Sequence, residues 1–253
     1  MTDQVAVDTG TALRPLIWRV ATVAAIREES VAARTLVLDV PDWPGHLAGQ
    51  HIDVRLTAED GYSTQRSYSL ASDPSTVEIM VQRVSRGEVS PYLCDIAQVG
   101  DQFELRGPVG GYFTWSPDRL DPVLLVAGGS GIAPLMAMIR TRAAAASRVP
   151  FRLVYSVRDP STVIYGDELV RRVRDDQGLD VTYVYTRETP PEWRRPAGRL
   201  TGTLLAEAGW PAEFEPACYA CGPTGFVEAA ADLLVEAGHA PERIRTERFG
   251  PTG

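Results

Sequence analysis

The sequence predicts an N-terminal antiparallel β-barrel followed by an α/β domain with a doubly wound parallel sheet. Three observations predict this fold class. Up to about residue 115, short β-rich runs alternate with turn residues, as in closed antiparallel sheets. Beyond that point strands alternate with helical segments, which is typical of a doubly wound domain. The chain has 253 residues, enough for two domains that each bury a core.

The first domain is predicted over residues 15–118, after a mobile leader at 1–14 that shows no hydrophobic period. Turn-forming pairs such as Pro41-Asp42 and Asp73-Pro74 separate its strands. The strands are expected at residues 18–26, 34–40, 51–57, 65–71, 77–84 and 102–105.

The second domain is predicted over residues 119–253. It opens with a continuous apolar run at 122–127, as expected for a strand that is covered on both faces. Further strands are expected at residues 151–157, 181–186, 217–220 and 244–249. Helices are expected at residues 132–146, 166–176, 203–208 and 226–237.

Composition excludes several classes of function. The formal net charge of -8 argues against general nucleic-acid binding, which needs a basic surface. All 25 basic residues are arginine, which excludes Schiff-base chemistry on lysine. No apolar run approaches the roughly 20 residues of a membrane span, and no secretion signal opens the chain, so a cytoplasmic protein is expected. Three cysteines are too few for a four-cysteine iron-sulfur cluster.

One predicted strand, at residues 65–71, combines a cation, an aromatic ring and hydroxyl groups. Alternation places Arg66 and Tyr68 on one face of it, and Ser67 and Ser69 on the other. Arg66 offers planar donors for a pyrophosphate, and Tyr68 offers a flat surface for an isoalloxazine. Ser69 offers a hydroxyl for a flavin ring nitrogen. These residues predict a flavin site, with an ordinary half-buried strand as the alternative.

The segment after the next strand has the features of an anion-binding loop. Ser90 is predicted to be the N-cap, and Pro91 the first residue, of a helix over residues 91–97. Free backbone N–H groups at such a helix start can bind a phosphate, and Gly87 permits close approach. Arg83 and Val89 belong to the same candidate site. A capped helix without a ligand is the alternative.

A glycine-rich loop lies directly between a buried strand and a helix, which is the setting that a nucleotide loop requires. Pro134 occupies the third-glycine position counted from Gly129, and proline is unstrained in a first helical turn. A tight structural turn is the alternative interpretation. The residues predicted to contact a dinucleotide here are Gly129, Ser130, Gly131, Ile132, Ala133 and Pro134.

The pair Cys218 and Cys221 suggests zinc or thioredoxin-type chemistry. A structural zinc site needs two further ligands, and His239 is the one histidine nearby in sequence. The surroundings also lack the usual thioredoxin pattern. No metal is therefore predicted. Near the end of the chain, Glu247 and Phe249 share one face of the last predicted strand.

The choice between NADPH and NADH depends on the ends of two predicted strands. An acidic residue there typically holds the ribose 2′-OH of NAD, whereas arginine accommodates a 2′-phosphate. Arg158-Asp159 ends one strand, and Thr186-Arg187-Glu188 ends the next. The arginines favour NADPH, and the acidic residues are consistent with NADH as the alternative.

In chain order, these motifs resemble those of the ferredoxin-NADP reductase superfamily. The resemblance rests on Arg66-Ser67-Tyr68-Ser69, the loop at 83–90, Gly107-Pro108-Val109-Gly110, the loop at 128–134, Cys221-Gly222-Pro223 and Glu247-Arg248-Phe249. It implies FAD on the barrel and NADPH or NADH on the α/β domain. It also implies that Ser69, Cys221 and Glu247 form a polar group where hydride is transferred, while Gly222 and Pro223 contact the nicotinamide. Thr186 and Arg187 would hold the 2′-phosphate.

The same resemblance assigns Gly107-Pro108-Val109-Gly110 to a turn at the end of the barrel, and Phe249 to a cover over the flavin. An ordinary β-strand without a cofactor would also account for an aromatic residue at position 249. One departure concerns the tail, because residues 250–253 extend beyond the position where plant-type members stop.

The implied function is an oxidoreductase that passes electrons from NAD(P)H through FAD to a separate protein. That acceptor would be a ferredoxin, a flavodoxin or an oxygenase component, and the oligomeric state stays open. Two alternatives are a free diaphorase or flavin reductase and a non-catalytic dinucleotide-binding module. Candidate docking residues for an acidic partner are Arg171, Arg172, Arg174, Arg194 and Arg195, although such charges are usually a solvated face.

Overall fold

The computed structural model describes residues 16–250. The predicted leader and the last three residues of the tail lie outside the described residues. The first six strands form one antiparallel sheet in the order β4-β3-β6-β1-β2-β5. They are β1 (Trp18–Ser30), β2 (Ala33–Asp39), β3 (His51–Thr57), β4 (Ser63–Ser69), β5 (Val77–Gln82) and β6 (Gln102–Val109). An isolated bridge between Leu70 and Ile79 joins the two edge strands, so the predicted barrel is confirmed.

The barrel core follows from alternation along its strands. Leu36 and Leu38 of β2 and Ile52 and Val54 of β3 are buried, because every second side chain of a half-buried strand faces inward. One end of the barrel is covered by a short helical segment that begins as α1 (Val89–Pro91) and continues as a π-helical turn, Tyr92–Ile96.

The second half of the chain forms a five-stranded parallel sheet in the order β11-β10-β7-β8-β9. Its elements are β7 (Val123–Gly128), α2 (Ile132–Ala144), β8 (Phe151–Val157), α3 (Gly166–Asp175), β9 (Leu179–Tyr185), α4 (Gly202–Ala208), β10 (Ala217–Pro223), α5 (Thr224–Glu236) and β11 (Ile244–Phe249). Buried side chains of α2 and α3 pack on one face, and those of α4 and α5 on the other. The doubly wound prediction is confirmed.

The strand order reverses at β7: β8 and β9 extend the sheet on one side of it, and β10 and β11 extend it on the other. In open α/β sheets, ligands bind at the carboxyl ends of the strands at such a switch point. The glycine-rich loop follows β7, and Cys221-Gly222-Pro223 ends β10. Two motifs far apart in sequence therefore meet at one edge.

The two halves are packed against each other through a shared apolar cluster. Ala71, Met80 and Trp115 of the first half belong to the same buried cluster as Met136 and Met138 of α2. The predicted domain boundary near residue 118 falls in the connection between β6 and β7 and stays a prediction. Within the described residues, none of the helices has the length and apolar character needed to span a bilayer.

Two local predictions were wrong. Ser90 is not an N-cap: Glu88 precedes the helix, and the Ser90 hydroxyl accepts a hydrogen bond from the Val84 N–H at 3.1 Å. The helical segment accordingly begins at Val89 rather than at Pro91 and continues to Ile96, so the helix predicted over 91–97 is present with an earlier start. In addition, residues 107–109 form the end of β6 rather than a turn, because pairing with β3 continues to Val109 opposite His51.

Candidate functional site

Three residues from three strands converge where the barrel meets the parallel sheet. Ser69 is the last residue of β4, and Cys221 lies near the end of β10, paired in register with Glu247 of β11. Burial raises the pKa of the Glu247 carboxyl, and the Ser69 hydroxyl, which lies nearby without making a full hydrogen bond to it, offsets part of that rise. The group that the sequence predicted is therefore assembled across the domain junction.

Burial controls the protonation of this group. Removal from water raises the pKa of Glu247 to about 7. Burial also raises the pKa of the Cys221 thiol well above its usual value, and the Glu247 carboxylate adds to that shift. Cys221 is therefore a neutral thiol. Ser69 Oγ is buried without a hydrogen-bond partner among the described residues, so it is available to a ligand.

A pH-dependent stability follows from Glu247. A carboxyl whose pKa is raised from 4.5 to about 7 on folding stabilises the folded state at low pH and loses that contribution as the pH rises through this interval. Relative to Glu247→Gln, we expect the wild type to lose about 3 kcal/mol of unfolding free energy across it. Urea denaturation from about pH 4 to about pH 8 measures the difference. If the unfolding free energies of the two proteins changed with pH in parallel, Glu247 would not be a buried, neutral carboxyl.

The glycine-rich loop is packed against the end of β10. A Cβ atom on Gly131 would lie 2.1 Å from the Cys221 carbonyl oxygen, so only glycine fits there. Gly129 has a φ of +53°, and a Cβ atom on it would meet nothing within 4 Å. The loop forms a single 3-10 turn, Gly129–Gly131, before α2 begins at Ile132. Ile132, Ala133 and Pro134 form the first helical turn, as predicted, and are buried.

The side chains predicted to bind the flavin differ in what they contact. Among the described residues, the Arg66 guanidinium has no carboxylate partner and donates to the adjacent Gln65 carbonyl at 2.6 Å. Tyr68 packs against the barrel core, and burial raises the pKa of its hydroxyl. Arg83 is already paired with Asp95 at 2.6 Å. Arg66 is therefore the better-placed cation for a phosphate.

The loop around Gly87 is compact. Its N–H donates to the Val84 carbonyl at 2.9 Å, and a Cβ atom on Gly87 would lie 3.0 Å from Ser90 Oγ. Val89 and Ser90 are buried. Residues 83–86 and Glu88 are exposed, so the side chains accessible to a ligand precede Val89.

Two arginines lie together at the carboxyl ends of β8 and β9. The backbone N–H of Arg187 donates to the Arg158 carbonyl at 2.9 Å, and Thr186 donates to Val157 at 2.8 Å. The described residues include no salt-bridge partner for Arg158 or Arg187. By contrast, the Asp159 carboxylate accepts from the backbone N–H and the hydroxyl of Ser161, at 3.0 and 2.6 Å.

The two cysteines of β10 lie on opposite faces of the sheet. Cys221 belongs to the cluster shared with the barrel, whereas Cys218 packs among the side chains of α4 and α5. Since residues three apart in a strand point in opposite directions, the pair has no common ligand and no disulfide. Gly222, with a φ of +155°, passes close to the Gly128 carbonyl, and Pro223 is paired with Phe249.

Sequence reasoning missed two residues near the site. His51 is directly opposite Ser69 in the β3–β4 pair, and burial lowers the pKa of its imidazole. Arg140 is a buried side chain of α2 that bonds the Ala71 carbonyl, two residues beyond Ser69. No sequence motif marks either residue as part of the site. His51 is brought there by strand pairing, and Arg140 by the packing of α2 against the barrel.

Comparison with known proteins decides the family. The family described as Oxidoreductase FAD-binding domain matches residues 21–114, and the family described as Oxidoreductase NAD-binding domain matches residues 125–232. The chain belongs to the ferredoxin-NADP reductase superfamily. In this superfamily member the first sheet is thus the FAD-binding domain, and the second sheet binds a nicotinamide dinucleotide.

Relatives of this reductase-like chain include components of oxygenase systems. The glycine betaine monooxygenase reductase subunit of Pseudomonas aeruginosa (strain UCBPP-PA14) is 33% identical over 208 residues, covering 81% of this chain and 56% of the relative. The 3-ketosteroid-9-alpha-monooxygenase ferredoxin reductase component of Mycobacterium tuberculosis (strain CDC 1551 / Oshkosh) is 31% identical over 241 residues, covering 90% and 64%. The chain therefore spans roughly three fifths of these curated relatives.

Solved structures agree with the fold. The cytochrome P450 reductase GcoB of Amycolatopsis is 26% identical, with a TM-score of 0.84 over 98% of this chain and 74% of that chain.

Proposed function

We propose that this protein is an FAD-dependent oxidoreductase that takes hydride from NADPH or NADH and passes electrons to a separate acceptor. The observation that carries the proposal is the meeting of Ser69, Cys221 and Glu247 between an FAD-binding and a dinucleotide-binding domain. The Ser69 hydroxyl, which has no partner among the described residues, and the open space beside Gly129 fit a planar cofactor and a dinucleotide at this junction.

The residues have distinct roles in this proposal. When bound, FAD accepts hydride from the nicotinamide and releases electrons to the acceptor. Ser69 supplies a hydrogen bond to a flavin ring nitrogen, and Glu247 holds a proton beside it. Cys221 supplies a neutral, close-packed surface that orients the rings. Arg66 and the backbone at 87–90 hold the pyrophosphate.

Access to Cys221 requires movement of a neighbour, because the residue has no exposed surface. Phe249 is half-buried against the same cluster and is the last residue of β11. We infer that the Phe249 ring covers the flavin and moves aside when the nicotinamide enters.

NADPH is the preferred donor in this proposal. Arg158 and Arg187 are adjacent and free of carboxylates in the described part of the chain, whereas the carboxylate of Asp159 is used by its own turn. We expect Arg187→Ala to lower kcat/KM for NADPH about 10-fold to 100-fold, because a hydrogen bond to a charged group contributes roughly 1.5–3 kcal/mol. NADH kinetics serve as the control and should change little. Comparable efficiency of the wild type with both nucleotides would defeat the preference.

A separate protein acceptor is supported by the relatives, which are named as reductase subunits or components of monooxygenases. A ferredoxin, a flavodoxin and an oxygenase component are the candidates. The proposed setting of the reaction is the cytoplasm.

The test is anaerobic reduction of the purified, FAD-containing protein by NADPH and by NADH, followed by addition of candidate acceptors. Bleaching of the flavin by a nicotinamide nucleotide and rapid reoxidation by an acceptor protein are expected. Transfer to free flavin alone would favour a diaphorase. A protein that takes up no FAD would overturn the proposal in favour of a dinucleotide-binding module.

A further inference from the structure

We propose that Arg140 is a positioning residue: it holds the end of the flavin strand in register with the helix that follows the dinucleotide loop. The proposal rests on the proposed function, because it concerns how the two halves of that site are aligned. The inference goes beyond the proposed function by assigning a role to a residue that belongs to neither binding loop.

The contacts of Arg140 cross the junction. Its Nη1 donates to the Ala71 carbonyl at 2.8 Å and to the Glu78 carboxylate at 2.9 Å, both in the barrel. Its Nε and Nη2 donate to the two carboxylate oxygens of Glu168 in α3, at 3.0 and 2.6 Å. The guanidinium also lies over the Tyr165 ring, 4.8 Å from its centroid. One side chain thus joins β5, the end of β4, α2 and α3.

The surrounding charges make this arrangement specific. Arg27 of β1 pairs with the same Glu78 at 2.5 Å, and Arg172 pairs with the same Glu168 at 2.8 Å. Arg140 is 8% exposed, so its bonds are little weakened by water. The apolar contacts of the junction are non-directional, whereas a guanidinium offers donors in a fixed planar fork. Arg140 therefore selects one alignment among those that apolar packing allows.

The segments that Arg140 connects are each continuous in sequence with a residue of the site. Ala71 is two residues beyond Ser69, and its own N–H donates to the Glu78 carbonyl at 2.8 Å. Arg140 therefore binds a backbone segment that is already hydrogen-bonded to β5. In the other direction, α2 begins at Ile132, directly after the Gly131 that is packed against Cys221. A shift of α2 relative to β4 changes the separation of Cys221 and Ser69.

The expected effect is on chemistry rather than on binding. Because a misplacement of about 1 Å can cost about 100-fold in rate, we expect Arg140→Met to slow flavin reduction at saturating nucleotide about 10-fold to 100-fold. FAD content and the Kd of the oxidised nucleotide should stay close to those of the wild type, since Arg140 contacts neither binding loop. Arg140→Lys keeps the charge but not the fork, and it should recover part of the rate.

Arg142→Met is a matched control. Arg142 is equally buried, lies two residues later in α2, and bonds the Val149 carbonyl and the Asp176 carboxylate, both within the α/β domain. Its loss should lower stability without slowing flavin reduction. If Arg140→Met does not fold, Glu78→Gln removes the barrel-side charge with little change of shape and should slow reduction in the same way.

Hydrogen exchange on the FAD-containing protein gives a second readout that is independent of turnover. The amides of Leu70 and Ala71 should exchange faster in Arg140→Met than in the wild type or in Arg142→Met. Equal reduction rates and equal exchange in the two methionine variants would overturn the role of Arg140. A wild type that no nicotinamide nucleotide reduces would instead overturn the proposed function, while the exchange comparison would still test the alignment.

Discussion

Cys221→Ala is expected to slow the reduction of FAD by the nicotinamide nucleotide about 100-fold while FAD stays bound. The thiol is fully buried in the cluster that joins the two domains, beside Glu247 and the glycine-rich loop. Its removal leaves a gap where the two rings must be held in contact, and orientation is the protein's main contribution to hydride transfer. Anaerobic stopped-flow absorbance at saturating NADPH measures the rate, and the flavin spectrum reports FAD content.

Cys218→Ala provides the control for this experiment. It removes a thiol that is also fully buried, three residues earlier in the same strand, but on the face covered by α4 and α5. Its reduction rate should match that of the wild type. Ser69→Ala should behave like Cys221→Ala, because it removes the one hydroxyl at the site that has no partner among the described residues. If both Ser69→Ala and Cys221→Ala reduced FAD at the wild-type rate, neither residue would have a role in the reaction.

Gly131→Ala is expected to cost about 3 kcal/mol of stability and to abolish tight binding of the dinucleotide. An added Cβ atom would lie 2.1 Å from the Cys221 carbonyl oxygen and 2.4 Å from its carbon, so the backbone of the loop or of β10 must move. Either movement separates the loop from the strand end that completes the site. Urea denaturation and fluorescence titration with NADP+ measure the two effects.

Gly225→Ala is the matched substitution for Gly131→Ala. A Cβ atom on Gly225, near the start of α5, would meet nothing within 4 Å. Alanine favours helix over glycine by up to about 1 kcal/mol, so stability should be unchanged or slightly higher. If Gly131→Ala were as well tolerated as Gly225→Ala, the tight packing between the loop and β10 would be wrong.

Much of the fold was predictable because the hydrophobic periodicity of strands and helices is a local property of the sequence. Alternation along the early strands predicted the barrel, and the apolar run at 122–127 with the helices after it predicted the parallel sheet. The start of the helix predicted at 91–97 was placed two residues too late, for a local reason. Ser90 and Pro91 suit a helix start by residue type, but the Ser90 hydroxyl is held by the Val84 N–H, which places it inside the turn.

Short-range pattern and the absence of a side chain are properties of the residues alone, so the two sheets and the need for glycine at position 131 could be predicted before the fold was known. The sequence also carried the motifs in which Ser69, Cys221 and Glu247 were predicted to act together. Three features are seen in the folded protein alone: Cys218 faces away from Cys221, Arg83 rather than Arg66 has a carboxylate partner among the described residues, and Arg140 joins the domains. These outcomes depend on burial and on contacts between distant segments, whose energies exist only after the chain has folded.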